Sequence, residues 1–278
     1  MSIEVFNRYE KKFIVDQETY ETILKLIEDN MELDPYNVKN GFYTISNLYC
    51  DTPNDDLIKK SLSKPIYKEK LRLRAYGVPE LESKVFLEIK KKYKGLVNKR
   101  RTTLLLDEAY AFLASNEIPE SKPYQNRQVL KEINFMLHQY DLKPIVYIAY
   151  DRQAFFTGDF RVTFDTNIRT RRYDLGLEYG DYGDQLIDDG KWLMEVKAGK
   201  TLPMWFVKLL SDHKLYATSF SKYGREYQLY IESLRPSKVL LLVKNEEKNK
   251  TSNSKIAEMK GEPITCLNPY LPQQQAAR

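Results

Sequence analysis

The chain has 278 residues, 42% of them hydrophobic and 30% charged, enough to bury a good core as one large or two modest domains. Lys and Arg number 44 against 39 Asp and Glu, and the net charge of +5 is too mild for a nucleic-acid coat or a polybasic membrane surface; the positive charge matters only if it is clustered. No stretch approaches the roughly 20 apolar residues of a membrane span, Met1-Ser2-Ile3-Glu4 lacks a signal peptide's basic and apolar regions, and Cys50 and Cys266 lie far apart with no CxxC spacing, so a cytosolic protein with free thiols is expected.

Along the chain, a first strand is expected from about Arg8 to Val15, followed by Asp16 as an N-cap. Tyr20, Ile23, Leu24 and Ile27 then recur at helical spacing. Residues 41 to 52 read as a strand ending in a Pro-Asn-Asp turn at 53 to 55, and strands dominate from there to about Leu106. Asp107 to Ala114 and Gln125 to Tyr140 are expected to be helical, the second presenting Val129, Ile133, Met136 and Leu137 on one face. Further strands are predicted at Ile145 to Phe156, Phe160 to Thr166 and 191 to 198. A helix starting at Pro203 follows, its apolar side formed by Trp205, Phe206, Leu209 and Leu210. From Arg235 the character changes to a charged, Ser- and Asn-rich tail ending in Pro and Gln. Residues 1–234 are read as the folded domain and 235–278 as a largely disordered tail.

Five segments place charged residues at alternating positions between apolar ones: Arg8-Tyr9-Glu10-Lys11-Lys12-Phe13, Leu71-Arg72-Leu73-Arg74, Phe86-Leu87-Glu88-Ile89-Lys90, Phe160-Arg161-Val162-Thr163-Phe164-Asp165 and Met194-Glu195-Val196-Lys197. Residues two apart share a face of a strand, so each segment projects a charged row one way and mostly apolar side chains the other. One such row is an ordinary solvated sheet face. Five of them suggest a closed barrel with a polar, cationic interior, which a polyanion would fill.

Other chemistries are set aside. Gly199-Lys200-Thr201 resembles the end of a phosphate-cradling loop, but Met194 stands where that loop needs its first glycine. No GxGxxG occurs, and the two histidines, His138 and His213, lie far apart in predicted helices. Any chemistry must use Lys, Arg and carboxylates.

The segments Arg8 to Phe13, Leu71 to Gly77, Phe86 to Lys90, Tyr150-Asp151-Arg152, Leu193 to Lys197 and Ser219 to Tyr223 resemble, in order, the motifs of the VTC domain, the polyphosphate polymerase module of vacuolar transporter chaperone complexes and their bacterial relatives. The resemblance spans roughly residues 3 to 234 and implies an α+β fold built on an antiparallel eight-stranded tunnel barrel with flanking helices. It implies Lys12, Arg72, Arg74, Lys90, Arg152, Arg161, Lys197 and Lys222 as phosphate ligands with a catalytic role, joined by Ser221, and Glu195 as the carboxylate that holds Mn2+ or Mg2+ against the phosphates. Arg8, Glu10, Glu88, Arg101 and Arg169 complete the substrate-binding set, the two glutamates as orienters of neighbouring cations. Such chemistry suits phosphoryl transfer, whose transition state spreads charge over oxygens that fixed cations and a metal stabilise.

Two features depart from the wider superfamily: Arg8 replaces the first Glu of a Glu-x-Glu-x-Lys opening, and Ser219 stands where relatives often carry a basic residue. Arg169, Arg171 and Arg172 could extend the tunnel mouth or form a solvated basic patch, only Lys99 or Arg101 of the 99–101 run is expected to face inward, and Lys64, Lys68 and Lys70 are placed outside the tunnel. The implied activity is transfer of the γ-phosphoryl of ATP to a growing polyphosphate chain with release of ADP. The alternatives are a triphosphatase of the same tunnel fold and a polyphosphate-binding module without turnover. The expected partners are ATP and inorganic polyphosphate but no nucleic acid. Since the family's eukaryotic members belong to membrane complexes, a separate membrane subunit is compatible with this reading and would hold the protein at the inner face of a membrane.

Overall fold

The structure, a computed structural model, describes residues 5–6, 9–37, 41–94, 96–199 and 201–235. Arg8, Cys266 and nearly all of the expected tail lie outside these residues. The chain falls into two units, residues 1–228 and 229–278. The described part of the second is residues 229–235, most of it helical.

The first unit is organised by eight antiparallel strands of eight or more residues: β2 (Tyr9–Asp16), β4 (Tyr43–Asp51), β5 (Tyr67–Tyr76), β6 (Lys84–Tyr93), β7 (Leu96–Leu105), β8 (Lys143–Thr157), β9 (Phe160–Arg171) and β11 (Lys191–Ala198). Three two-residue strands, β1 (Val5–Phe6), β3 (Glu32–Leu33) and β10 (Asp184–Gln185), attach to β7, β8 and β9. The hydrogen-bonded order is β1-β7-β6-β5-β4-β8-β9-β11-β2, so its two ends, β1 and β2, are neighbours in the chain. Laid flat, that path would separate the ends by about 38 Å at ~4.8 Å per strand. From Phe6 to Tyr9 the chain reaches at most about 11 Å. The sheet must therefore curl until its edges nearly meet, and the N-terminal segment spans the seam by pairing first with β7 and then with β11.

Curling gives the sheet an inner and an outer face, and the sequence alternation decides which residues occupy each. On β5, Leu71, Leu73 and Ala75 turn outward and are buried, while Lys70, Arg72 and Arg74 turn inward. The apolar core therefore lies outside the barrel, in two parts. One packs β4 to β8 under α2 (Asp56–Leu62), α3 (Leu106–Ser115) and α4 (Arg127–Gln139), with Leu87, Ile89, Phe112, Val129, Ile133 and Tyr147 at its centre. The other packs β2, β9 and β11 under α1 (Gln17–Glu28) and α5 (Met204–Asp212), with Ile23, Ile27, Phe164, Met194 and Phe206 fully enclosed. Trp192 stacks on Tyr20 at 3.7 Å, and Trp205 packs edge-on against Phe160, so both tryptophans sit against this core.

Local signals placed most helices within a residue or two. Asp16 caps α1, accepting the Thr19 amide at 2.9 Å. Two helices were not anticipated. In α2 the cap comes from Asp51, at the end of β4, whose buried carboxylate accepts the amides of Leu57 (2.8 Å) and Ile58 (3.0 Å). A cap that far upstream breaks the local rule. The other is α6 (Lys222–Ser233), whose first turn takes in the end of the Ser219 to Tyr223 motif; Tyr223 donates to the same Asp51 at 2.8 Å. β9 also runs to Arg171, beyond the expected Thr166, because its far end pairs with β8 past a bulge between Ala149 and Asp151 and with β10.

Candidate functional site

The inward faces carry the site. On β5 and β6, Arg72 and Glu88 are register partners, and Glu88, almost wholly buried, gathers Arg72 (2.7 Å), Lys99 of β7 (2.6 Å) and, more distantly, Arg74 (3.9 Å). Burial alone would raise the Glu88 carboxyl, but Arg72, Arg74 and Lys99 outweigh it and hold it well below the ordinary range. Arg74 donates to Asn47 (2.9 Å) and Tyr150 (3.2 Å), and Arg72 to the Tyr49 hydroxyl (3.2 Å).

Asp165 of β9 is the second anchor. It is fully buried and takes a bidentate bond from Arg152 of β8 (2.6 and 2.8 Å) together with the ammonium of Lys222, at the start of α6. Glu195 of β11 is the third. Burial opposes its charge, but Lys197, in contact with it, Lys12 at 3.5 Å and Arg152 hold it well below the ordinary carboxylate range. Lys12 also reaches Glu10 (3.5 Å) and donates to the Phe220 carbonyl (3.0 Å), tying β2 to the segment before α6. Burial would lower the Lys12 ammonium, yet Glu195 and Glu10 raise it above its usual value.

Electrostatics show these rows facing one lumen. Lys90 of β6 is solvent-exposed, yet it is lowered by crowding: burial first, then Arg72, Lys197 and Lys12, against the pull of Glu10. On a flat sheet β6 and β2 would be about 29 Å apart, six strand spacings. Lys90 is thus open to solvent but enclosed by cations from opposite walls.

The VTC domain model matches residues 7–231. The chain belongs to the VTC domain family. It aligns at 29% identity over 163 residues with vacuolar transporter chaperone complex subunit 4 of Trypanosoma brucei brucei, covering 49% of this chain and 21% of that one, so the match spans about a fifth of that relative's length. Among solved structures, a protein described as an adenylate cyclase from Bacillus halodurans shares 16% identity at a TM-score of 0.49, over 79% of this chain and 96% of that one. A Hippeastrum protein described as an adenylyl cyclase with a dominant triphosphatase activity shares 16% identity at a TM-score of 0.44, over 77% of this chain and 92% of that one.

For this VTC-family chain, the structure brings together Lys12, Arg72, Arg74, Lys90, Arg152, Lys197 and Lys222 with Glu10, Glu88 and Glu195. Ser221 joins them through Lys70, whose ammonium donates to its hydroxyl at 3.3 Å. Arg161 stands on the same face but nearer an opening, paired with Asp34 at 2.9 Å. Lys99 and Arg101 both share the inward face of β7, so one inward residue was too few; Arg100 turns outward to Glu132 of α4. Arg169 is not brought to the lumen. Asp151, Asp181 and the Asn167 carbonyl engage its guanidinium. Its neighbours Arg171 and Arg172 are no solvated patch either. Arg171 is sandwiched between Tyr147 and Tyr182, and Arg172 pairs with Glu226 and Asp55.

Three lumen residues, Lys70, Tyr49 and Tyr150, are absent from the expected site, and Asp165 was expected only as a member of an alternating row. Lys70 was placed outside the tunnel, yet it lies two residues before Arg72 on the same face; burial, with Lys68, Lys90 and Lys12, pushes it down to about 8. Its parity with Arg72 was the available signal. Asp165 shares the parity of Arg161. Tyr49 and Tyr150 gave no signal, because an uncharged residue shows its face only once its partner strand is known. Burial opposes ionisation of Tyr49, but Arg72, Lys70 and Arg74 bring it down to about 8, and Tyr150 is lowered by Arg74, Arg152 and Lys222.

Among the described residues no three His, Cys, Asp or Glu side chains converge on one point. Glu195 offers hard oxygens at the lumen wall, with Glu10 linked to it through Lys12. A hard divalent ion is commonly held by one or two carboxylates plus phosphate oxygens. These residues fit Mg2+ or Mn2+ shared with a phosphate chain, and do not fit a metal caged by protein alone.

Proposed function

We propose that this chain is a polyphosphate polymerase that transfers the γ-phosphoryl group of ATP to a polyphosphate chain and releases ADP. The observation that supports it most is the lumen itself: cations from β2, β5, β6, β7, β8, β11 and α6 around one opening, whose carboxylates are already claimed by them. The remaining positive charge calls for an extended anion. In the step, a terminal oxygen of the bound chain attacks the γ-phosphorus, and the bond from that phosphorus to the bridging oxygen of the β-phosphate breaks, so the electron pair leaves with ADP. A phosphate nucleophile is already an anion and needs no general base. Arg72, Arg74 and Arg152 supply guanidinium forks for equatorial oxygens, while Lys12, Lys70, Lys90 and Lys197 act as point charges. When bound through Glu195, a divalent metal would neutralise charge on the transferring group. A water-activating hydrolase would need a carboxylate free to act as base; Glu88 and Asp165 each sit among cations that keep them ionised and engaged, and Glu195 is assigned to the metal.

The match to a subunit of the vacuolar transporter chaperone complex supports working beside a partner subunit. Incubation with ATP and Mn2+ tests the reading: ADP should appear with acid-stable chains that an exopolyphosphatase digests, and with little early free phosphate. Stoichiometric free phosphate without chains would replace this reading with a triphosphatase.

A further inference from the structure

The inward face of the sheet changes character beyond its cations. Two residues past Arg74 on β5 stands Tyr76, which is 53% exposed. Its ring lies edge-on to Phe86 of β6 and tilted towards Tyr43 of β4, each at 5.9 Å. Arg101 of β7 sets its guanidinium over Phe86 at 4.7 Å. Ile45, the register partner of Tyr76, is buried beneath, and Phe86 is the register partner of Arg74, so the aromatic rim continues directly from the cation rows. A channel for phosphate alone has no use for such a rim, because phosphate offers no apolar surface. Rings and a guanidinium left open to water at one end of an anion site suit a flat π system carried by the anion.

We propose that Tyr43, Tyr76, Phe86 and Arg101 form a stacking platform for the base of a nucleoside triphosphate whose phosphates lie among Arg74, Arg72 and Arg152. The inference rests on the tunnel reading above and adds to it the seat and the polarity of the nucleotide. Two residues of strand, ~7 Å, separate Arg74 from Tyr76, which leaves room for the ribose between phosphate and base. With the base at this rim, the γ-phosphate points inward towards Lys90 and Lys70, and the acceptor chain must enter from the opposite mouth. The platform presents ring faces and a cation rather than a set of hydrogen-bonding edges, so it stacks purines without selecting among them. A cavity of about 500 Å3 beyond Tyr43 does not compete, since its Asp151, Asn167, Arg169 and Asp181 are already bonded to one another.

Titration of the full chain with ATP, GTP and tripolyphosphate decides the matter, comparing the parent with Tyr76→Ala and Tyr76→Phe. Loss of base stacking should weaken ATP between about 5- and 150-fold in Tyr76→Ala. Tripolyphosphate affinity and melting temperature should stay unchanged, Tyr76→Phe should bind ATP like the parent, and GTP should follow ATP within about threefold. An ATP affinity indifferent to residue 76, beside normal tripolyphosphate binding, overturns the platform alone. So does an equal loss for ATP and tripolyphosphate. Failure of the parent to bind tripolyphosphate overturns both the platform and the tunnel reading beneath it.

Discussion

Arg72, Arg74 and Arg152 stand on strands whose inner faces meet across a lumen; Arg169, Arg171 and Arg172 stand at the far end of β9 and just beyond it. Both groups consist of buried or partly buried arginines, all but Arg172 at strand positions. The first three share their carboxylates with lysines and with one another, so each keeps donors that a ligand can claim. Arg171 instead bonds backbone through each of its three nitrogens, to the carbonyls of Asp174 (3.0 Å), Gly176 (3.1 Å) and Tyr182 (2.6 Å), while its plane lies between two tyrosine rings. What separates Arg171 from the lumen arginines is the partner: backbone carbonyls rather than a carboxylate shared with other cations.

Substitutions should widen that contrast. The largest effect is expected at the lumen wall, where Glu195→Gln should cut metal-dependent turnover by on the order of 10^2-fold or more while tripolyphosphate still binds. A variant that turns over ATP like the parent would remove Glu195 from the site. Next, Arg171→Ala should strand three carbonyls and empty the space between two rings, costing about 3–5 kcal/mol and lowering Tm by about 10 °C with unchanged anion affinity. Arg72→Ala should do the reverse, weakening tripolyphosphate by about 10- to 100-fold with Tm unchanged or raised, because Glu88 keeps Lys99 and Arg74 and the lumen loses one repelling charge. If Arg72→Ala melted as early as Arg171→Ala and bound normally, the distinction between the two groups would collapse.

Smaller effects sharpen it further. Tripolyphosphate at 100 times its Kd should stabilise the folded chain by about 2.7 kcal/mol, a rise in Tm that Arg72→Ala loses and Arg171→Ala keeps. The smallest effect is with pH. Lys70, Lys99 and Tyr49 all fall to about 8 in the fold, Lys70 and Lys99 chiefly through burial and Tyr49 through its guanidinium and ammonium neighbours. Above pH 8 the folded lumen loses positive charge and gains a tyrosinate, while unfolded lysines and tyrosine hold their protons to about 10. Tripolyphosphate affinity should therefore fall as pH rises from 7 to 9.5, while these groups make the ligand-free protein more stable over the same range. Tyr49→Phe should flatten the affinity profile; an unchanged profile would take Tyr49 out of the lumen.

Much of this was legible in the chain because the period of a strand is local. Alternation at Leu71 to Arg74 or Met194 to Lys197 sorts charged from apolar residues whatever the fold, and Asp16 or the apolar stripe from Val129 to Leu137 marks its helix in the same way. Local rules cannot say what meets across the barrel. Lys12 finds the Phe220 carbonyl 208 positions away, and Tyr223 reaches Asp51 across 172. Only the curling of the sheet put Lys70 and Tyr49 into the lumen, and only the turn after β9 withdrew Arg169 and Arg171 from it. Charge pattern was set by side-chain parity, which the sequence carries by itself; which charges became neighbours was decided by curvature and by long-range pairing of buried polar groups, which exist only in the folded chain.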